Sequence, residues 1–99
     1  MPIGRDTRTW IKDMVDKSIK DPRTTIESVR EILVALDVEP SIENMFVFQL
    51  GTIYGGAVRM ERGKLSSILI DRYEEVEIVS LLSKRTKGLA KVFNDSKEK

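Results

Sequence analysis

The stretch of sequence that decides the fold is 45-MFVFQLGTIYGGAV-58. It runs for fourteen residues without a charged side chain, although 33% of the whole chain is charged. A segment so poor in charge has to be buried against other parts of a structure. Its glycines, Gly51, Gly55 and Gly56, indicate that something approaches its backbone closely. The stretch is shorter than the roughly 20 residues that span a bilayer, so we expect no association with a membrane.

The apolar residues in and around this stretch recur at the spacing of an α-helix. One half of a helical wheel carries Ile42, Met45, Phe46, Leu50, Ile53, Ala57 and Met60. The other half carries Val47, Phe48, Gly51, Tyr54, Gly55 and Val58. A helix that is apolar nearly all round is typical of a central helix, or of one with a partner on each side. We expect it to begin at Pro40 and Ser41 and to end at Gly63.

Three further helices are predicted from the same period of 3.6 residues. The first covers about residues 7–20 and includes Trp10, which we assign to the core or to an interface. The second covers about residues 22–37 and begins with a capping carboxylate at Asp21 followed by proline. The last covers residues 64 to about 83 or 87 and is also apolar on two sides. Its first side carries Leu65, Ile68, Leu69, Val76 and Val79, flanked by Tyr73, and its second side carries Ile70, Ile78 and Leu81.

The sequence therefore predicts an all-α fold, a compact four-helix domain with a central apolar helix. We expect one domain over residues 1–99, frayed at 1–6 and 94–99, with Gly88 interrupting the last helix. The alternative is an α+β fold with a small antiparallel sheet in the C-terminal half. That alternative rests on alternating apolar residues (Phe46, Phe48 and Leu50, then Val76 and Ile78) and on glycines that would serve as turns.

Cysteine and histidine are both absent from the chain. Their absence removes disulfides, thiolate nucleophiles, zinc fingers and the serine-hydrolase triad, so we expect a protein without catalytic residues, cofactor or metal. Asparagine and glutamine number only three, against 33 charged residues, which favours a thermophilic source. The first ten residues carry charge without a following apolar core, so no signal peptide is indicated and we expect a cytoplasmic protein.

A group of carboxylates is the single feature that favours an enzyme. Asp71, Glu74, Glu75 and Glu77, with Glu27 and Glu31 of the second helix, offer oxygen ligands of the kind that Mg²⁺ prefers. A metal-dependent hydrolase is therefore an alternative. The spacing does not reproduce the paired acidic motifs of helical pyrophosphohydrolases, and charged residues on a solvated helix face explain the same pattern.

The leading prediction is a small non-catalytic protein that works by association, as a homo-oligomer or as an accessory subunit of a larger complex. The two-sided helices expose more apolar surface than a monomer of this size usually shows. A two-fold homodimer would cover it, with the glycines at the close approach. The predicted interface consists of Val47, Phe48, Gly51, Tyr54, Gly55, Val58, Ile70, Ile78 and Leu81.

The alternative prediction is weak, sequence-independent binding of nucleic acid by basic clusters near the two ends. Residues 1–30 carry a net charge of +2 and residues 84–99 a net charge of +4, whereas residues 31–83 carry −5. Lysines and arginines at helical spacing can follow a phosphate backbone. The predicted contacts are Arg5, Arg8, Lys12, Lys84, Arg85, Lys87 and Lys91, which form one patch if the two ends lie together.

Overall fold

Five α-helices form the part of the chain that the computed structural model describes, residues 3–65 and 72–95. They account for 87% of these residues, and no strand occurs among them. The helices are α1 (Arg5–Lys20), α2 (Pro22–Ala35), α3 (Ile42–Leu65), α4 (Arg72–Ser83) and α5 (Thr86–Asp95). The predicted all-α class is confirmed, and the α+β alternative finds no support in the described ranges.

The ends of α2 follow from local hydrogen bonds. Asp21 caps its N-terminus by accepting from the Thr24 amide at 3.4 Å, and proline occupies the first turn. At the C-terminus the Val38 amide donates to the Leu33 carbonyl at 2.8 Å, and Asp37 adopts a left-handed φ of 63°. This pair of features is a Schellman motif, so α2 ends through its own backbone geometry before the chain reaches the proline at position 40.

The helix α3 is the centre of the fold and packs against each of the other four helices. Its inner side is a line of buried residues at four-residue spacing: Met45, Gln49, Ile53, Ala57 and Glu61. The molecule measures 44 × 26 × 18 Å between Cα atoms, and α3 spans about 36 Å at 1.5 Å per residue. Since a thickness of 18 Å accommodates only about two layers of helices, one side of α3 lies at the surface.

The predicted count of four helices is wrong, because the last predicted helix divides at Lys84 and Arg85 into α4 and α5. The division turns α5 back onto α1 and α3, which buries Leu89 and Phe93 in the core. Phe93 there makes an edge-to-face contact with Phe46, with ring centroids 6.5 Å apart. A continuous helix would carry both apolar residues away from the core.

Two glycines also behave differently from the prediction. Gly63 was expected to end the central helix, but α3 continues through it to Leu65. Gly88 was expected to interrupt the last helix, but it lies inside α5, where a Cβ would stand 3.2 Å from Ile19 Cδ1. Gly88 therefore serves the close packing of α1 against α5. A hairpin turn at Gly63 between the third and fourth helices is therefore wrong, and the link from α3 to α4 lies in residues 66–71, outside the described residues.

Candidate interaction surface

The surface side of α3 carries a notch of two glycines beside apolar side chains. A Cβ added at Gly51 or at Gly55 would have no atom of the described residues within 4 Å, and both glycines are exposed, so both positions face open space. Val47, one turn earlier, is 64% exposed, while Tyr54 and Val58 are half-buried. We call these five residues the outer face of α3. All five belong to the predicted interface. Val47 and the two glycines are exposed, whereas Tyr54 and Val58 are only partly exposed and also pack against the core.

The third glycine of the stretch has a different role. A Cβ at Gly56 would lie 2.2 Å from Cη2 of Trp10 and 2.8 Å from its Cζ2, closer than carbon atoms can approach. The indole of Trp10 therefore rests against the backbone of α3, and only glycine leaves room for it. Trp10 is half-buried and packs against the core, in agreement with its predicted assignment. Of the three glycines, Gly56 is the one that a described side chain approaches closely.

The remaining residues of the predicted interface do not form one surface. Phe48 and Leu81 are half-buried and pack against the core. Ile78 is fully buried in the core of the single chain, with 0% of its surface exposed, so it is not accessible to another chain. Ile70 lies outside the described residues.

The two sides of α4 are reversed relative to the prediction. The side that carries Ile78 faces the core, together with Leu82. The other side carries Tyr73, Val76 and Val79, each more than half exposed. The cause is the packing of α4 against α3 and α1, which selects one of two apolar sides that the sequence pattern leaves equivalent.

The N-terminus of α1 is held by two carboxylates from distant helices. The N-cap residue, Gly4, has no side chain to cap the helix, and its amide donates to Glu61 Oε1 of α3 at 3.1 Å. The Ile3 amide donates to Glu77 Oε1 of α4 at 2.9 Å. The Thr7 hydroxyl also donates to Glu61. Negative charge at this end complements the helix dipole, so residues 3 and 4, predicted to fray, are instead anchored.

The carboxylates considered for a metal site are dispersed in the structure. Glu77 forms an ion pair with Arg8 and also accepts the hydrogen bond from the Ile3 amide. Glu27 pairs with Arg23 on its own helix at 3.2 Å, Glu74 is buried in α4, and Asp71 lies outside the described residues. In the described ranges, histidine, cysteine, aspartate and glutamate nowhere form a group of three or more that could hold a metal ion.

An open cleft of about 350 Å³ lies between α1, α2 and α3. Its wall includes the side chains of Phe48, Ile32 and Lys17. The polar groups deeper in the cleft bind each other: Gln49 Nε2 donates to Ser18 Oγ at 3.1 Å, and Ser18 Oγ donates to the Met14 carbonyl at 3.0 Å. These bonds tie α3 to α1 and give the cleft a structural role.

Most of the predicted basic contacts lie at the surface of α1 and around α5. Arg5 and Lys12 are exposed on α1, and Arg8, also on α1, pairs with Glu77. Arg85 reaches back to Asp16 of α1. The remaining three, Lys84, Lys87 and Lys91, are exposed.

Comparison of the chain with family models, with curated proteins and with solved structures found no match. Within residues 3–65 and 72–95, every helix is too short or too polar to cross a membrane.

Proposed function

We propose that this protein works by association, as a homodimer formed through the outer face of α3. The observation that carries the proposal is that Gly51 and Gly55 face open space. A glycine inside a helix lowers stability by about 1 kcal/mol relative to alanine. At Gly56 the close packing of Trp10 accounts for the glycine, whereas at the other two positions no described residue does.

A second copy of the same helix is the occupant that the outer face suits best. Val47, Tyr54 and Val58 lie on one flank of α3, because residues 7 and 11 apart are close to whole numbers of turns. They form a ridge beside the notch made by Gly51 and Gly55. A surface that contains both a ridge and a notch can pair with itself about a two-fold axis, and glycines on both helices permit a close approach.

The positions of the ridge residues favour an antiparallel pair. Val47 and Val58 stand at nearly equal distances from the midpoint between the two glycines. If the axis passes through that midpoint, Val47 of one copy lies beside Val58 of the other. The two Tyr54 side chains then meet close to the axis, where a buried aromatic residue contributes most to an interface.

The mass in solution tests the homodimer. Light scattering at micromolar concentration should give twice the monomer mass of 11.3 kDa. Gly55→Leu should give the monomer mass, because a leucine in the notch separates the two helices. The variant should stay folded, since position 55 has no neighbour within 4 Å and leucine is a better helix former than glycine. Thr9→Leu is the matched control, an exposed uncharged residue on α1, and should remain dimeric.

Engineered disulfides test the antiparallel arrangement. The chain has no cysteine of its own, so every crosslink would come from the introduced residues. The double variant with Val47→Cys and Val58→Cys should form crosslinked dimers on mild oxidation. Val47→Cys alone should not, because the two copies of residue 47 would lie about 18 Å apart along the helices, beyond the reach of a disulfide. Crosslinking of the single variant would indicate a parallel pair. A wild-type mass near 11.3 kDa would exclude the homodimer and leave the outer face to a different protein.

A further inference from the structure

The C-terminal part of the fold presents a row of exposed lysines. Lys84 lies in the link between α4 and α5, and Lys87 and Lys91 follow on α5. Lys87 and Lys91 are about 6 Å apart along the axis of α5 at 1.5 Å per residue. The apolar residues of the same helix, including Leu89 and Phe93, are buried on its opposite side. The sequence of α5 thus places its cations outward and its apolar residues inward.

The basic clusters of the two chain ends meet beside this row. Arg85 Nη1 lies 3.7 Å from Asp16 Oδ1, and Lys12 Nζ lies 3.6 Å from Asp16 Oδ2. Nearby, Gly88 of α5 packs against Ile19 of α1. The helices α1 and α5 pack against each other. Lys12 and Arg85 therefore belong to one surface, with a single carboxylate between them.

We propose that this surface binds the phosphate backbone of nucleic acid without reading its sequence. Its contacts are the lysine row of Lys84, Lys87 and Lys91, extended by Lys12 and Arg85. Lysines bind phosphates as point charges, and a row of them matches a polymer that repeats its negative charge at short intervals. The surface is separate from the outer face of α3, so the proposal does not depend on the homodimer.

The composition of α5 favours nucleic acid over a membrane. A helix that lies on a membrane inserts an apolar face into the lipid, whereas Leu89, Val92 and Phe93 are buried in the protein core. Phe93, the single aromatic residue of α5, is also buried. The helix therefore offers no exposed aromatic side chain of the kind that anchors a protein partner. A surface that offers charge alone fits a partner recognised by charge alone.

Asp16 lies within 4 Å of both Lys12 and Arg85, so its negative charge weakens the attraction of this surface for phosphate. Asp16→Asn keeps the shape of the side chain and removes its negative charge. We expect this variant to bind nucleic acid about two- to fivefold more tightly, the effect of one unit charge 4 to 8 Å from a phosphate in water. A general loss of structure would weaken binding, so a gain is a result that only the electrostatic role explains.

Fluorescence anisotropy with a labelled DNA duplex of mixed sequence tests the proposal. The wild-type protein should bind in the micromolar range or more weakly at physiological salt, with affinity falling steeply as salt rises. Changing Lys84, Lys87 and Lys91 to glutamine should lower the affinity by about two to three orders of magnitude at 0.1 M salt and reduce the slope of log K against log salt by about 3. A control with Lys17, Arg23 and Arg30 changed to glutamine has the same net charge and should bind within about threefold of wild type.

Several results would overturn the proposal. An equal loss of affinity in the control would show that net charge, and not the lysine row, is responsible. Retained binding in the lysine variant, or a strong preference for one duplex sequence, would place the contact elsewhere. Absence of wild-type binding at low salt would exclude nucleic acid. Tighter binding to vesicles of anionic lipid than to the duplex would assign the row to a membrane surface. Circular dichroism of each variant checks that the fold is retained.

Discussion

Replacing Gly56 by alanine tests the close packing of α1 on α3 with a single methyl group. The new Cβ would stand 2.2 Å from Cη2 of Trp10, so the indole or the helix has to move. The same replacement at Gly51 and at Gly55 meets no atom within 4 Å. The same change can therefore be compared at one tightly packed position, Gly56, and at two positions with open space, Gly51 and Gly55.

The expected effects have opposite signs. Alanine in place of an exposed helical glycine stabilises the folded state by about 1 kcal/mol, which raises the melting temperature by about 4–8 °C in a domain of this size. At Gly56 the same gain applies, but overpacking costs about 1–3 kcal/mol, and the distance to Trp10 places this site at the upper end. We expect a net loss of about 2 kcal/mol and a melting temperature lower by on the order of 10 °C.

Thermal unfolding by circular dichroism measures all three variants against wild type, at protein concentrations low enough to populate monomers. Trp10 is the only tryptophan, so its fluorescence reports on the same contact. Its emission should shift to the red in Gly56→Ala, because the displaced indole gains contact with water. Equal stability of Gly56→Ala and Gly55→Ala would refute the close packing of Trp10 against α3. A second check is Trp10→Leu, a background in which the penalty of alanine at position 56 should shrink.

Two further predictions concern helix ends, and both are measured by urea denaturation. Asp37→Gly should be about 0.5 to 1 kcal/mol more stable than Asp37→Ala, because the left-handed φ of 63° suits glycine and disfavours alanine; equal stabilities would contradict the Schellman geometry. Glu61→Gln should cost about 1–2 kcal/mol by removing the charge at the start of α1, whereas Glu31→Gln, at an exposed site, should change stability by less than about 0.5 kcal/mol. A loss of similar size in both variants would show that Glu61 has no special role at the chain start.

The spacing of apolar residues predicted the class of the fold well, because a helix can bury one side only if its apolar residues recur about every 3.6 positions. The central helix is long and uninterrupted, and its buried line through Met45, Ile53 and Ala57 belongs to one half of the predicted wheel. Periodicity predicted less about α4, because a helix with two apolar sides fits equally well in either orientation. The side with Ile78 is buried and the side with Val76 is exposed only because of how α4 packs against its neighbours.

Contacts between residues far apart in the chain could not be predicted from the sequence. Nothing near Glu61 indicates that it holds an amide 57 positions earlier in the chain. One indirect signal was present, since Gly4 precedes the first helix without a side chain that can cap it, and the orphan amides at a helix start need an acceptor. Similarly, the three glycines of α3 look alike in sequence, and only the position of Trp10 distinguishes Gly56 from the other two.

That distinction carries the functional argument. If Gly51 and Gly55 existed for the folding of one chain, some part of that chain would lie against them, as Trp10 lies against Gly56. Within residues 3–65 and 72–95 nothing does, so alanine at both positions should make the monomer more stable by about 2 kcal/mol. Two added methyl groups per chain should also obstruct the close approach of a second helix. A double variant that is more stable as a monomer and weaker as a dimer would separate folding from association. A variant that gains stability and keeps its dimer would show that the interface lies on another surface.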